Sequence, residues 1–121
     1  LMEGVAVFGM DGRLKLSNRA FGEIWRLAPE TLAERPHIDQ VVSHGRGLAP
    51  EDEPWIAIRG AVAGLAEART GLVRRLERRD GLVFDCAAQP LPDGATLLTF
   101  IDVTASVNVE RALTEKNDAL E

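Results

Sequence analysis

The side chains that could do chemistry in this 121-residue chain are few and scattered. His37 and His44 could serve as haem or metal ligands, because neutral imidazole is the commonest metal-binding side chain. Cys86 is a lone thiol, and without clustered cysteine or histidine partners it makes neither an internal disulfide nor a zinc framework. Neither a Ser-His-Asp set nor paired carboxylates stand out. We therefore expect no catalytic site and no metal site.

A second chemical feature is a basic cluster of four arginines, Arg74, Arg75, Arg78 and Arg79. The cluster could bind an anionic ligand or pair with Asp102 from a neighbouring strand. In a strand, alternation would send residues 74 and 78 to one face and residues 75 and 79 to the other. A solvated strand surface is the favoured interpretation.

Composition excludes several classes of function. A net charge of −5 argues against a nucleic-acid or anionic-lipid partner. No apolar run approaches the roughly 20 residues of a membrane span, and no leader peptide opens the chain, so we expect no membrane contact by this segment. The single cysteine favours a reducing cytoplasm. Because the chain starts inside an apolar run and stops inside a charged helical stretch, we expect it to be excised from a longer protein.

The elements that position these side chains begin with three Asp-Gly pairs, each a strong hairpin signal between β-prone runs. The pairs are Asp11-Gly12, Asp80-Gly81 and Asp93-Gly94. They predict five strands near residues 5–8, 14–16, 72–78, 82–88 and 96–103, all in antiparallel pairings. The last strand is apolar on both alternating faces, so both sides of the sheet should be covered.

Roughly fifty residues with helical periods separate the first hairpin from the other strands. Ser17 or Asn18 could cap a first helix, whose apolar face holds Phe21, Ile24, Trp25 and Ala28. A longer helix is predicted from about Asp52 to just before Gly71. Its apolar face comprises Trp55, Ile58, Val62 and Leu65.

After Thr104 the chain is predicted to be helical. Val109, Leu113, Lys116 and Leu120 are spaced four, three and four apart, like a heptad seam. The spacing indicates the start of a coiled coil, so the domain boundaries are predicted at 1–103 for the core and 104–121 for a linker helix. A second copy of the chain is the expected partner for the seam and for the outer face of the sheet.

The order of these elements resembles the PAS family along nearly the whole chain. The resemblance rests on residues 3–7 and 11–14 leading into residues 18–21, and on Pro92-Asp93-Gly94-Ala95 before the last strand. It also rests on Asp102-Val103-Thr104, which is similar to the D-x-T boundary found after many PAS domains. The expected fold class is therefore α+β, a five-stranded antiparallel PAS sheet with helices on one face and a C-terminal signalling helix.

The resemblance is strongest to PAS domains of alphaproteobacterial sensor histidine kinases, and it implies a non-catalytic regulatory module. Asp102 and Thr104 are then expected both to cap the exiting helix and to couple the sheet to it. The implied partners are a second copy, a regulatory protein, and a kinase domain downstream in the same chain.

The alternative is a receptor for a small metabolite or cofactor, as in another signalling protein such as a diguanylate cyclase. Its pocket would be lined by Phe21, Trp25, Ile58, Val62, Leu98 and Phe100, although filled core is favoured at these positions. Haem is not expected, because haem-binding PAS domains commonly carry the iron ligand on the long helix, and residues 52–70 contain no histidine. A photoactive flavin adduct is not expected, because Cys86 lacks the Asn-Cys-Arg context.

Overall fold

A computed structural model describes residues 2–65 and 69–120, with side chains as far as residue 117. The strands are β1 (Glu3–Phe8), β2 (Leu14–Ser17), β3 (Leu72–Glu77), β4 (Val83–Pro90) and β5 (Thr96–Asp102). The helices are α1 (Arg19–Trp25), α2 (Pro29–Ala33), α3 (Ile38–Leu48), α4 (Asp52–Ala63) and α5 (Thr104–Leu120). Within the described residues, no helix is both long enough and apolar enough to cross a bilayer.

The five strands form one antiparallel sheet in the order β2-β1-β5-β4-β3, which confirms the predicted fold class. All three Asp-Gly pairs make turns, and their glycines Gly12, Gly81 and Gly94 have φ of 80°, 93° and 85°. Glycine alone adopts such angles without a Cβ clash, which explains why these pairs mark the hairpins. The sheet places β1 and β5, the first and last strands, side by side at its centre.

Asn18 connects the first hairpin to α1. Its side-chain oxygen accepts the amide of Phe21 at 3.0 Å as the N-cap of α1, and the amide of Val5 at 2.9 Å. Its side-chain amide donates to the carbonyl of Glu3 at 2.9 Å. One side chain therefore fixes where the helix starts relative to β1.

The core lies between the inner face of the sheet and helices α1, α3 and α4. At its centre, the Trp25 ring lies 4.9 Å from Trp55 of α4, 5.4 Å from Phe100 of β5 and 6.0 Å from Phe84 of β4, measured between centroids. Gly45 of α3 permits this packing, because a Cβ there would lie 2.5 Å from the Trp55 ring. Aromatic contacts thus hold two helices on the sheet.

The prediction of a long helix reaching almost to Gly71 was wrong. Helix α4 ends at Ala63. The next residue, Gly64, has an extended backbone with ψ of 177°, and its amide donates to the carbonyl of Gly60. Leu65 is therefore not on the buried face, and it is 79% exposed. Part of the expected helix, residues 66–68, lies outside the described residues.

Candidate functional site: the junction between the sheet and helix α5

The junction between β5 and α5 is held by hydrogen bonds from Asp102 and Thr104. The carboxylate of Asp102 accepts the amide of Thr104 at 2.9 Å, so it satisfies one of the free amides at the start of α5. The hydroxyl of Thr104 accepts the amide of Val83 at 2.8 Å, and the Val83 carbonyl accepts the amide of Val103 at 2.9 Å. The first residue of α5 is therefore bonded to the first residue of β4.

The beginning of the chain meets the same junction. The amide of Asp102 donates to the carbonyl of Met2 at 3.1 Å, just before β1. Met2, Thr104, Ala105 and Asn108 line a shallow groove beside this bond. The entry to β1, the exit from β5 and the start of β4 thus converge on the first turn of α5.

Helix α5 begins on the outer face of the sheet, the face opposite the core. Val107 is only 4% exposed, and Val83, which does not belong to the main core cluster, is fully buried. One turn further on, the guanidinium of Arg111 donates to both carboxylate oxygens of Glu77 on β3, at 3.2 and 3.3 Å. The first turns of α5 therefore lie across one end of β4 and β3.

The predicted seam lies on the other side of α5. At 100° per residue, Val109, Leu113 and Lys116 fall on the helix face opposite Val107. Val109 and Leu113 are 60% and 56% exposed, and Lys116 is exposed as well. The side chain of Leu120, the fourth predicted seam residue, lies outside the described residues. The described part of the stripe thus faces away from its own sheet.

Beyond α5, two rows of the outer face of the sheet are mostly apolar. In its first row Val7 pairs with Leu16 and with Leu97. In the next row Val5, Thr99, Ala87 and Val73 lie opposite one another across β1, β5, β4 and β3. We call these two rows the open outer face; Leu16 and Val73 are 58% and 64% exposed. A surface of this kind is typical of an interaction site.

The six predicted pocket residues lie in the hydrophobic core. Phe21, Trp25, Ile58, Val62, Leu98 and Phe100 are each at most 1% exposed. Phe21 and Trp25 both contact the Phe100 ring, at centroid distances of 5.8 and 5.4 Å. Their side chains pack on one another, and the polar atom Nε1 of Trp25 is buried without a hydrogen-bond partner among the described residues.

A groove on the surface lies between α1 and α2 and has a volume of about 530 Å³. Gly22, Leu27 and Leu32 form its apolar floor, with Arg19 and Glu23 on the rim. This groove is separate from the six core residues. It borders α1, the helix that also supplies Trp25 to the core.

The arginine cluster does not form a solvated strand surface throughout. Arg74 pairs with Glu53 and Arg75 with Asp85, both at 2.8 Å and largely exposed, as that interpretation requires. Arg78, however, is only 7% exposed and bonds to Asp80 and to the carbonyl of Ile24. Arg78 shares the inner face with Leu76 by strand alternation, and that register was the available signal for its burial.

His37 caps a helix, His44 lies on the surface and Cys86 lies in the core. His37 is the N-cap of α3: its Nδ1 accepts the amide of Asp39 at 3.0 Å, and its own amide donates to Gln40 at 2.9 Å. His44 is exposed on α3. Cys86 is fully buried on β4, and burial raises the pKa of its thiol. No group of three or more metal-ligating side chains converges among the residues that the structure describes.

Comparison with known proteins decides the family. The family model described as "PAS fold" matches residues 1–111. The chain belongs to the PAS family. The PAS domain is also 36% identical, over 99% of its length, to a segment of the sensor protein DivL from Caulobacter vibrioides. The chain spans only 16% of the length of that relative.

A solved structure agrees with this assignment of the fold. The PAS domain superposes on a domain of an HTR-like protein from Haloarcula marismortui with a TM-score of 0.57 and 15% identity, covering 85% of this chain and 99% of that one. A domain of a sensory box sensor histidine kinase/response regulator from Geobacter sulfurreducens gives a TM-score of 0.48 and 20% identity, covering 84% and 83%. The first of these likenesses confirms the PAS architecture.

Proposed function

We propose that this PAS domain is the regulatory module of a bacterial two-component signalling protein, a sensor histidine kinase, and that α5 carries its state to a C-terminal output domain. The bond between Thr104 and Val83 carries the proposal, because it ties the first residue of an exiting helix to the sheet. The similarity to a sensor protein along 99% of the chain supports it. The module itself is proposed to be non-catalytic and cytoplasmic, without haem or a flavin adduct.

Two copies of the domain are proposed to associate through the stripe Val109, Leu113 and Lys116. Exposed apolar residues on a helix, facing away from their own domain, are stabilised when a second helix covers them. The open outer face is then free to contribute to the dimer or to bind a regulatory protein. Regulation by such a module needs little energy, since a coupling of about 1–3 kcal/mol changes an output 5- to 150-fold.

The test is the substitution Asp102→Ala in the full-length parent protein. It removes the carboxylate that accepts the amide of Thr104, so we expect autophosphorylation to change several-fold while the unfolding midpoint of the domain moves little. Asp93→Ala is a matched control, because Asp93 accepts the amide of Ala95 at 3.0 Å in the same two-residue geometry but in the β4–β5 turn. Equal autophosphorylation in the wild type and Asp102→Ala would refute the proposed coupling.

A metabolite receptor is the second candidate, and one observation favours it. The indole N–H of Trp25 is buried without an acceptor among the described residues, whereas buried donors in proteins are nearly always paired. A small acceptor-bearing molecule beside Trp25 would satisfy it. Native mass spectrometry of the purified protein distinguishes the candidates: a bound mass that Trp25→Phe abolishes supports the receptor, and an unliganded mass opposes it.

A further inference from the structure

Arg78 carries a charged side chain that is almost completely buried. It follows β3 directly, and one terminal nitrogen donates to the carbonyl of Ile24, in the last turn of α1, at 2.8 Å. The other donates to Asp80 within the β3–β4 turn, and the guanidinium lies 6.0 Å from the Phe84 ring centroid. A buried guanidinium is costly unless it is paired, so these contacts fix its position. Arg78 therefore bonds the β3–β4 turn to α1.

Its neighbour Arg79 bonds the same turn to α3. The backbone amide of Arg79 donates to the carbonyl of Leu48 at 2.8 Å, and its side-chain Nε donates to Gly47 at 3.2 Å. Both acceptors lie at the C-terminal end of α3. On the α1 side, Arg26 adds an ion pair to Asp80 at 3.6 Å. Two helices are thus held by consecutive residues of one turn.

The turn itself is closed by internal bonds. The amide of Arg78 donates to Leu82 at 2.8 Å, Gly81 donates back to Arg78 at 3.0 Å, and Asp80 accepts the amide of Leu82 at 3.3 Å. Three internal hydrogen bonds therefore hold residues 78–82 together. The next residue, Val83, is the one that bonds to Thr104 at the start of α5.

We propose that residues 78–83 are a mechanical relay, in which Arg78 senses the position of α1 and Val83 passes it to Thr104 and α5. The inference rests on the proposed regulatory function and names its internal route. A displacement of α1, for instance by a molecule in the neighbouring α1–α2 groove, changes the distance between Ile24 and Arg78. Because internal hydrogen bonds hold the turn together, that change alters the bond on which the first turn of α5 depends.

The weak point of the relay is Arg78 itself. Its Nε is buried without a partner among the described residues. A buried donor left unpaired raises the free energy of this arrangement, so the two bonds of Arg78 stabilise it less than a fully paired guanidinium would.

The experiment measures hydrogen exchange of the amides in residues 104–111 in the full-length protein. Asp80→Asn weakens the hold of Arg78 and Arg26 on the turn, and Arg78→Met removes the bond to Ile24. We expect either change to speed exchange in residues 104–111 by about tenfold through local opening. Arg74→Met is the matched control, because it removes an arginine from the same strand face. Among the described residues Arg74 pairs with the exposed Glu53 and the Val73 carbonyl alone, so we expect the change to leave α5 unchanged.

A double-substitution cycle tests the route. In a Thr104→Val background the hydrogen bond from Val83 to the Thr104 hydroxyl is absent, so adding Asp80→Asn should have no further effect on exchange in α5. Additive effects, or an Asp80→Asn variant whose turn exchanges faster while α5 does not, would overturn the relay. Kinase output is measured separately: faster exchange in α5 without any change in autophosphorylation would keep the relay and reject the proposed function.

Discussion

Val83 and Thr104 lie 21 residues apart and exchange two hydrogen bonds: the Val83 amide donates to the Thr104 hydroxyl at 2.8 Å, and the hydroxyl donates to the Val83 carbonyl at 3.4 Å. The hydroxyl therefore acts as an extra backbone partner for β4 at the point where β5 has ended. The first turn of α5 is thereby bonded to the start of β4.

Thr104→Val should destabilise the domain by about 1–3 kcal/mol, because it leaves the amide of Val83 without its acceptor in a partly buried place. Valine has nearly the same shape as threonine, so the loss of stability measures the contribution of the hydroxyl. Urea denaturation followed by circular dichroism measures it. Thr104→Ser keeps the hydroxyl and should recover most of the stability; a Thr104→Ser variant as unstable as Thr104→Val would contradict the assignment.

Leu113→Glu should weaken self-association of the full-length protein at least tenfold. It puts a charge in the centre of the exposed stripe on α5, where a second helix is proposed to pack. Sedimentation velocity over a concentration series measures the dissociation constant. Thr114→Glu adds the same charge at an exposed position 100° or more away from the stripe around the helix, and it should leave the constant within twofold.

Arg69→Ala should lower the free energy of unfolding by about 1–3 kcal/mol, because it removes the donors that bond to backbone carbonyls in three separate segments. Arg69 donates to the carbonyls of Gly64 at 2.9 Å, Gly94 at 3.3 Å and Met10 at 3.4 Å. Chemical denaturation measures the change. Arg19→Ala is the control: Arg19 is almost fully exposed and, in the part of the chain that the structure describes, pairs with Glu23 alone, so we expect a loss below about 0.5 kcal/mol.

Acid should loosen the β3–β4 turn through Asp80. Burial acts to raise the pKa of Asp80, but the hydrogen bonds from Arg78 and the Leu82 amide and the nearby arginine charges outweigh it, so the pKa lies below its ordinary value. A depressed pKa means that the unfolded chain binds the proton more tightly. The contribution of Asp80 is therefore complete above about pH 4 and is lost as the pH falls through the folded pKa.

The comparison that isolates this effect is between the wild type and Asp80→Asn. Two other carboxylates also have lowered pKa values: a hydrogen bond from Arg59 lowers the pKa of Asp39, and one from the Ala95 amide lowers the pKa of Asp93. The free energy of unfolding of the wild type should therefore fall steeply with acid, from several groups at once. The difference in unfolding free energy between the two proteins should shrink between about pH 4 and pH 2. A constant difference over that range would show that Asp80 does not titrate with folding.

The strands were predictable because their signals are local. An Asp-Gly pair needs only its own two residues to favour a turn with positive φ, and alternation in the neighbouring runs does the rest. The sequence predicts that α4 ends just before Gly71, but Gly64 lies seven residues earlier and already ends the helix. Helix ends marked by glycine are ambiguous when several glycines follow one another.

The junction was predicted only in part. Asp102 and Thr104 could be named from the D-x-T pattern, but the bonds of Thr104 to Val83 on β4 depend on which strand is the neighbour of β5. The burial of Arg78 is harder to predict from the sequence, because its partner is the carbonyl of Ile24, 54 residues away. Pairings over such distances are set by the packed sheet and helices, and no local spacing encodes them.

Pairing of Glu3 with Ile101 puts the entrance and the exit of the fold at one edge of the molecule. A domain connected in this way behaves like a loop inserted into a longer polypeptide: the segment that enters β1 and the first turn of α5 are near neighbours, however large the inserted body is. The distance from there to the next domain is set by the length of α5. Evolution can therefore exchange the sensing body while the spacing of the surrounding machinery is preserved.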